Sequence, residues 1–329
     1  MTNKQTIVGL IAIAVWTTWL ILLTPSQALS HLIHNWQIAI TMIFGSMIAG
    51  GTSLGGGAVA FPVFTKLLHI SPHDARIFSL AIQSVGMSAA TIAICFTRIR
   101  VEWRIILWGS LGGFLGIFLG AGFLAPILPA PVLKMVFTAI LTSFAVTLFT
   151  LNQGIRTCHL TLPIWTIKEQ SVILIAGFLG GIMSGLVGNG IDIFTFSVMV
   201  LLFRLSEKVA TPTSVILMAI NAIAGFALQI FIFNDFPHPV QNYWLAAIPV
   251  VVVGAPLGAM FCSRLHRQTI ANTLIGLIVI EMISSILLIP LSPIVIYSSV
   301  LSLIIFSVLN YWMYRTQVYE LPNPLPIRK

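Results

Sequence analysis

Only two of the eight acidic residues in this 329-residue sequence lie deep in apolar runs, Asp192 and Glu281. The other six, Asp74, Glu102, Glu169, Glu207, Asp235 and Glu320, fall at or near the ends of such runs. Asp192 follows Gly188-Asn189-Gly190 by two residues. An acid placed there can carry a coupling proton, respond to a bound anion, or stay protonated and donate one structural hydrogen bond. Glu281 has no motif beside it and reads as helix–helix glue or the lining of a side cavity. Small polar residues gather around these points. Thr52 and Ser53 precede Gly55, Gly56 and Gly57; Thr211-Pro212-Thr213-Ser214 is followed two turns later by Asn221; Ser79, Gln83 and Ser84 are the first-half equivalents. Such hydroxyls and amides can donate to an oxyanion or bond to neighbouring helices without any ligand. Pro212 frees a backbone carbonyl and predicts a kink or a helix start.

The glycines set the frame for these side chains. Residues 50–62 read GGTSLGGGAVAFP, and residues 184–194 read SGLVGNGIDIF. Glycine costs about 1 kcal/mol in a helix interior relative to alanine, so each cluster predicts a helix break inside apolar sequence. A break at membrane depth is tolerated only where the backbone is buried in protein or lines a cavity. A half-helix starting at such a break aims backbone N–H groups and a positive dipole end at it, which suits an anion with several oxygens. The competing reading is that the glycines only let helices cross closely.

Composition places all of this in a bilayer. The chain is 58% hydrophobic and 7% charged, with mean hydropathy +1.03, whereas soluble domains carry about 25% charged residues. The net charge of +8 comes from basic residues scattered over short loops, so nucleic acid is not a partner. The three cysteines are far apart, with no metal spacing and no disulfide framework expected. Transmembrane helices are predicted near 7–24, 75–97, 104–126, 132–151, 209–233, 243–263, 270–289 and 294–314. The first is read as retained, although Ser26-Gln27-Ala28 offers a signal-peptide cleavage pattern. Segments 36–69 and 170–204, each about 34 residues, would overshoot a ~30 Å core as single helices. Each is read as two shorter helices joined at the glycines, returning to the side it entered.

Loop charges then orient the chain. With both termini cytoplasmic, Arg98, Arg100, Arg104, Arg156, Lys168, Arg204, Lys208, Arg264, Arg267 and Arg315 all face inward, and loops 25–35, 127–131, 234–242 and 290–293 face outward. Lys66 and Arg76 disagree, and are read as snorkelling near helix ends. Each half is a broken hairpin plus three helices, so the halves are oppositely oriented, as in inverted-repeat transporters. Gly55-Gly56-Gly57 aligns with Gly188-Asn189-Gly190; Ile70-Ser71 and Ala75 with Leu205-Ser206 and Ala210; and Gly116 and Gly120 with Gly254 and Gly258.

Enzyme classes find no support. All seven histidines lie in loops or near helix ends, one deep aspartate cannot form an aspartyl dyad, and HExxH is absent. A non-catalytic membrane scaffold or assembly factor remains as the alternative. It needs no paired helix breaks, and Gly56→Leu would leave its binding intact while abolishing flux in a transporter.

The two broken segments resemble the sulfite exporter TauE/SafE family. The resemblance rests on Ser53-Leu54-Gly55-Gly56-Gly57 with Pro62, and on Gly188-Asn189-Gly190 followed by the stretch Lys208-Val209-Ala210-Thr211-Pro212-Thr213-Ser214. It covers about residues 36–290. The second copy departs from the pattern with Asn189 in place of a glycine and Thr195 where proline would fall; the first offers Phe78-Ser79 for the threonine–serine pair. The resemblance implies transport of sulfur-containing anions such as sulfite or organosulfonates, coupled to an ion gradient. No nucleotide-binding motif is present.

The expectation is an all-α polytopic protein of the cytoplasmic membrane. It has an N-terminal helix and outer loop (1–35), a first repeat (36–152), a cytoplasmic linker (153–168), a second repeat (169–290) and a C-terminal helix and tail (291–329). Candidate substrate contacts are Thr52, Ser53, Gly55, Gly56, Gly57, Gly188, Asn189, Gly190, Thr213, Ser214 and Asn221, with Asp192 as coupling candidate. No cofactor or metal is expected. Partners are a small anion and the lipid bilayer, with a proton or other coupling ion and a homo-oligomeric state left open.

Overall fold

The computed structural model describes residues 2–55, 63–64, 68–153 and 158–316. Among these residues the chain forms twelve α-helices and no strand. They are α1 (Thr2–Leu22), α2 (Pro25–His34), α3 (Trp36–Gly51), α4 (Pro72–Phe96), α5 (Trp103–Leu119), α6 (Ala130–Asn152), α7 (Ile167–Val187), α8 (Ile191–Ser197), α9 (Glu207–Phe231), α10 (His238–Arg264), α11 (Arg267–Leu288) and α12 (Pro293–Arg315). Wide-turn segments at Gly120–Leu124 and Val198–Leu202 extend α5 and α8. Among the described residues eight helices are long and apolar enough to cross a membrane, or nine if α1 and α2, bent by 105°, count as one span. The protein is a polytopic helical membrane protein.

Two elements differ from expectation. Residues 25–34, expected as loop, form α2. Thr24 accepts from the Gln27 N–H (3.4 Å), and the Gln27 side chain accepts from the Thr24 N–H (3.2 Å), with Pro25 at the first helical position. That reciprocal cap starts a helix wherever a short amphipathic stretch follows. The second broken segment is also unequal. A capping box of Thr166 and Glu169 starts α7 early, so it runs 21 residues before it breaks, about 31 Å. Pro212 sits within the first two turns of a continuous α9 and does not start it.

The turn ahead of α4 recurs ahead of α9. Leu68 N–H donates to Val63 C=O and Ile70 N–H to Phe64 C=O; Phe203 donates to Val198 and Leu205 to Met199 in the same way. His69 (φ 52°) and Arg204 (φ 54°) take the left-handed conformation at matching points, and Ser71 and Ser206 then cap the following helices. The second segment returns to its starting end: His159, just ahead of α7, donates to Arg204 C=O and accepts from Ser206 N–H, each at 2.9 Å.

Helix directions follow from close contacts. Gly112 and Gly116 of α5 lie against the Leu174 and Phe178 carbonyls of α7, so closely that a Cβ would overlap backbone. Gly254 of α10 meets Ser46 of α3, and Gly51 meets Gly258. Residue numbers rise together in both seams, so α5 and α7 run parallel, as do α3 and α10. α4 runs with α10, where Trp244 Nε1–H donates to Ala81 C=O (2.9 Å) and Gly86 packs on Val251. α9 runs with α5, through Leu217 on Gly109 and Gly225 on Ile117. Glu102, just after α4, donates its N–H to Thr213 Oγ1 near the start of α9 (3.0 Å), while His73 at the start of α4 meets Asp235 beyond the end of α9 (2.9 Å). Hence α4 and α9 are antiparallel, and so are α3 and α7. The same contacts gather loops into two faces. Glu102, His159, Leu205, Glu207 and Arg267 lie on one, and His73, Asp235 and the Met135–Ile289–Val295 cluster on the other.

Candidate functional site

α3 and α7 approach from opposite directions and their broken ends meet. The chain leaves α3 at Thr52, whose hydroxyl donates back to Ile48 C=O (2.8 Å) and accepts from Leu54 N–H (3.3 Å). Gly55 then takes φ +69° with the Asn189 side chain directly against it. On the other side, Gly188 takes φ +87° and ends α7. Asn189 reaches across, its Nδ2 donating to Leu54 C=O at 2.7 Å. This bond joins the two breaks. Asn189 therefore ties one broken helix to the other. Gly56 and Gly57 lie outside the described residues.

α4 holds the second break. Ser79 Oγ and Gln83 Nε2 both donate to Gly188 C=O at 3.0 Å, and Gln83 Nε2 also donates to Ser79 Oγ at 2.7 Å. Arg76 Nη1 donates to Gly185 C=O at 3.2 Å. Helix C-termini leave orphan carbonyls, and a cation and two polar side chains from a neighbouring helix satisfy them here. Arg76 is 8% exposed, which corrects the snorkelling expectation: its guanidinium turns inward because α7 presents carbonyls to it. Lys66 lies outside the described residues.

The other side chains divide into committed and unpartnered. Thr213 Oγ1 donates to Val209 C=O (2.7 Å) and accepts from Glu102 N–H, so it fixes the start of α5 rather than facing the junction. Ser53 Oγ, Ser214 Oγ, Asn189 Oδ1 and Asn221 Oδ1 are buried without a hydrogen-bond partner among the described residues. Asn221 lies against Gly113, which also meets Ile191, so it sits near the start of α8. Gly190 packs on Met183 and Gly180, folding α8 back over α7, and Ser184 Oγ accepts from Ile191 N–H (3.1 Å). Asp192 is fully buried in the first turn of α8. Among the described residues neither carboxylate oxygen has a properly aligned partner, though the N–H groups of Gly190 and Ile193 and the Asn189 amide lie nearby. A helix N-terminus favours negative charge there, while full burial opposes it.

Beside the junction is a cavity of about 40 Å³, room for a water or one small head group. α3 contributes Met42, Ser46 and Ala49; α4 contributes Ser79, Gln83 and Met87; the second break contributes Val187 and Asn189; α6 contributes Lys134 and Phe137. Lys134 escaped the sequence reading. Its signal was a cation inside an apolar segment that the loop-charge rule does not explain. Its Nζ lies 2.7 Å from Glu281 Oε1, so Glu281 joins α11 to α6.

A helical membrane protein in which two broken helices meet end to end beside a polar-edged cavity has the anatomy of a solute carrier. Residues 38–285, most of the chain, match the family described as sulfite exporter TauE/SafE. The chain belongs to that family, whose members are membrane transporters and not enzymes, and membership implies a sulfur-containing anion as cargo. No match arises among curated proteins or solved structures.

Proposed function

We propose that the chain is a secondary permease for small sulfur-containing oxyanions or organosulfonates, sulfite among them, working by alternating access between two inverted repeats. The observation that carries this reading is the Asn189–Leu54 bond, where two antiparallel broken helices meet beside a cavity. The repeated turn at 68–71 and 203–206, and the exchange of partners that packs α3 on α10 and α7 on α5, support the inverted relation. Rocking one repeat against the other would then open the junction to each face in turn.

The cargo contacts proposed are the backbone at Gly55, Gly56, Gly57, Gly188 and Gly190 together with Ser53, Asn189, Ser214 and Asn221. Thr52 and Thr213 support the walls. Asp192 is the coupling residue. The membrane is the cytoplasmic one with both termini on its cytoplasmic side, a placement that loop charge supports. The experiment is flux into proteoliposomes of sulfite, thiosulfate, sulfonates and carboxylates, with and without a pH gradient. Saturable flux of a sulfur-containing anion is expected. A chain that moves none of the panel is not this permease.

A further inference from the structure

We infer that Lys134 is the cation that receives the negatively charged head group of the cargo, and that Glu281 is the counter-ion it releases as cargo binds. The inference rests on the permease reading above. The Lys134 side chain is 5% exposed and lines the cavity together with Ser46, Ser79, Gln83 and Asn189. It is the one cation among the described residues that line it. Its ammonium pairs with the fully buried Glu281 at 2.7 Å and stands 5.7 Å from the Phe137 ring centre. Glu281 Oε1 also accepts from Ser285 Oγ (3.2 Å), with Thr138 Oγ1 at 3.5 Å, while Oε2 has no partner among the described residues.

Packing does not explain this pair. Two apolar side chains of similar volume would serve a buried helix contact as well or better, and ionisable residues at membrane depth mark ligand pathways by default. The remaining polar donors around the cavity already hold protein groups: Gln83 and Ser79 hold Gly188, and the Asn189 amide holds Leu54. Among the described residues, an anion entering the cavity therefore finds one positive charge to meet, that of Lys134. A lysine ammonium on its flexible stem can swing from Glu281 to a ligand without moving the backbone.

Charge counting narrows the cargo. One cation, with a carboxylate remaining beside it, matches a single negative charge. A second negative charge would face Glu281 with no further cation among the described residues of the lining. The rest of the wall is apolar, including Met42, Phe64, Phe78, Ile82, Met87 and Val251. The chemical class is a monoanion with an apolar remainder, such as a short alkanesulfonate, in preference to a dianion such as thiosulfate.

The test compares ethanesulfonate and thiosulfate flux in proteoliposomes of the full chain and two variants, each first checked for a monodisperse folded state. Glu281→Gln keeps the shape and removes the competing charge; its KM for ethanesulfonate should fall. Lys134→Met combined with Glu281→Leu replaces the pair with apolar side chains and avoids stranding a buried charge. It should lose saturable ethanesulfonate flux by roughly tenfold or more, the scale of a lost charge-assisted contact. Folded variants with wild-type KM and rate would make the pair static helix glue and overturn the inference while leaving the permease reading intact. A wild-type preference for thiosulfate would overturn the assigned class. A wild-type chain that moves no anion would remove the permease reading and this inference with it.

Discussion

Single residues carry the junction, and each has a separable cost. Gly188 needs its positive φ, and a Cβ there would press on Ser79 Cβ and the Arg76 carbonyl. Gly188→Ala should therefore lower stability by about 1–2 kcal/mol from left-handed strain alone, read as a drop in thermal midpoint in detergent, and should reduce flux. Asp192 has a different role. Replacing it with asparagine keeps its volume and removes a buried charge without an aligned partner. Asp192→Asn should stay folded, retain exchange of labelled for unlabelled anion, and lose flux driven by a proton gradient. Gradient-driven flux at the wild-type level would move coupling to another residue. The sequence makes this residue scale partly legible. Three glycines in a row and an aspartate in apolar surroundings announce themselves. Lys134 and Arg76 do not, because their meaning depends on what faces them: Glu281 lies far along the chain, and the carbonyl of Gly185 belongs to a different half.

At the scale of elements, close helix seams explain most of the glycines outside the breaks. Gly116 abuts the Phe178 carbonyl, whereas a Cβ at Gly276 meets no atom within 4 Å. Gly116→Ala must push α5 from α7 and should destabilise the fold. Gly276→Ala should be neutral or stabilise by up to about 1 kcal/mol through helix propensity. Matched unfolding curves of the two variants check the contrast. The predicted helices match the observed ones to within a few residues, because about 20 apolar residues leave few alternatives in a bilayer. The capping boxes at Thr24 and Thr166 were harder to read, since apolar composition masks a helix start that depends on one side-chain bond. The packing reading of glycine and the break reading are both correct, at different glycines. Gly112 and Gly116 are seam residues, and Gly55 and Gly188 are turn residues with positive φ.

For the whole molecule, opposed helix directions matter more than any single contact. α3 and α7 run antiparallel, and each packs closely on a helix of the other half. The loop charges lead to an expectation of opposed directions, because an odd number of crossings separates the two breaks. They could not give the depth of the junction, which depends on α7 running 21 residues before it breaks. The most direct test is whether the junction is reached from each face in turn. Ser53, buried beside Leu54 and without a hydroxyl partner among the described residues, accepts cysteine at nearly constant volume. In a chain with Cys95, Cys158 and Cys262 replaced, Ser53→Cys in proteoliposomes should react with a membrane-impermeant thiol reagent applied from either face, and transported anion should slow both reactions. Reaction from one face only, unchanged by anion, would contradict alternating access at the junction of the two breaks.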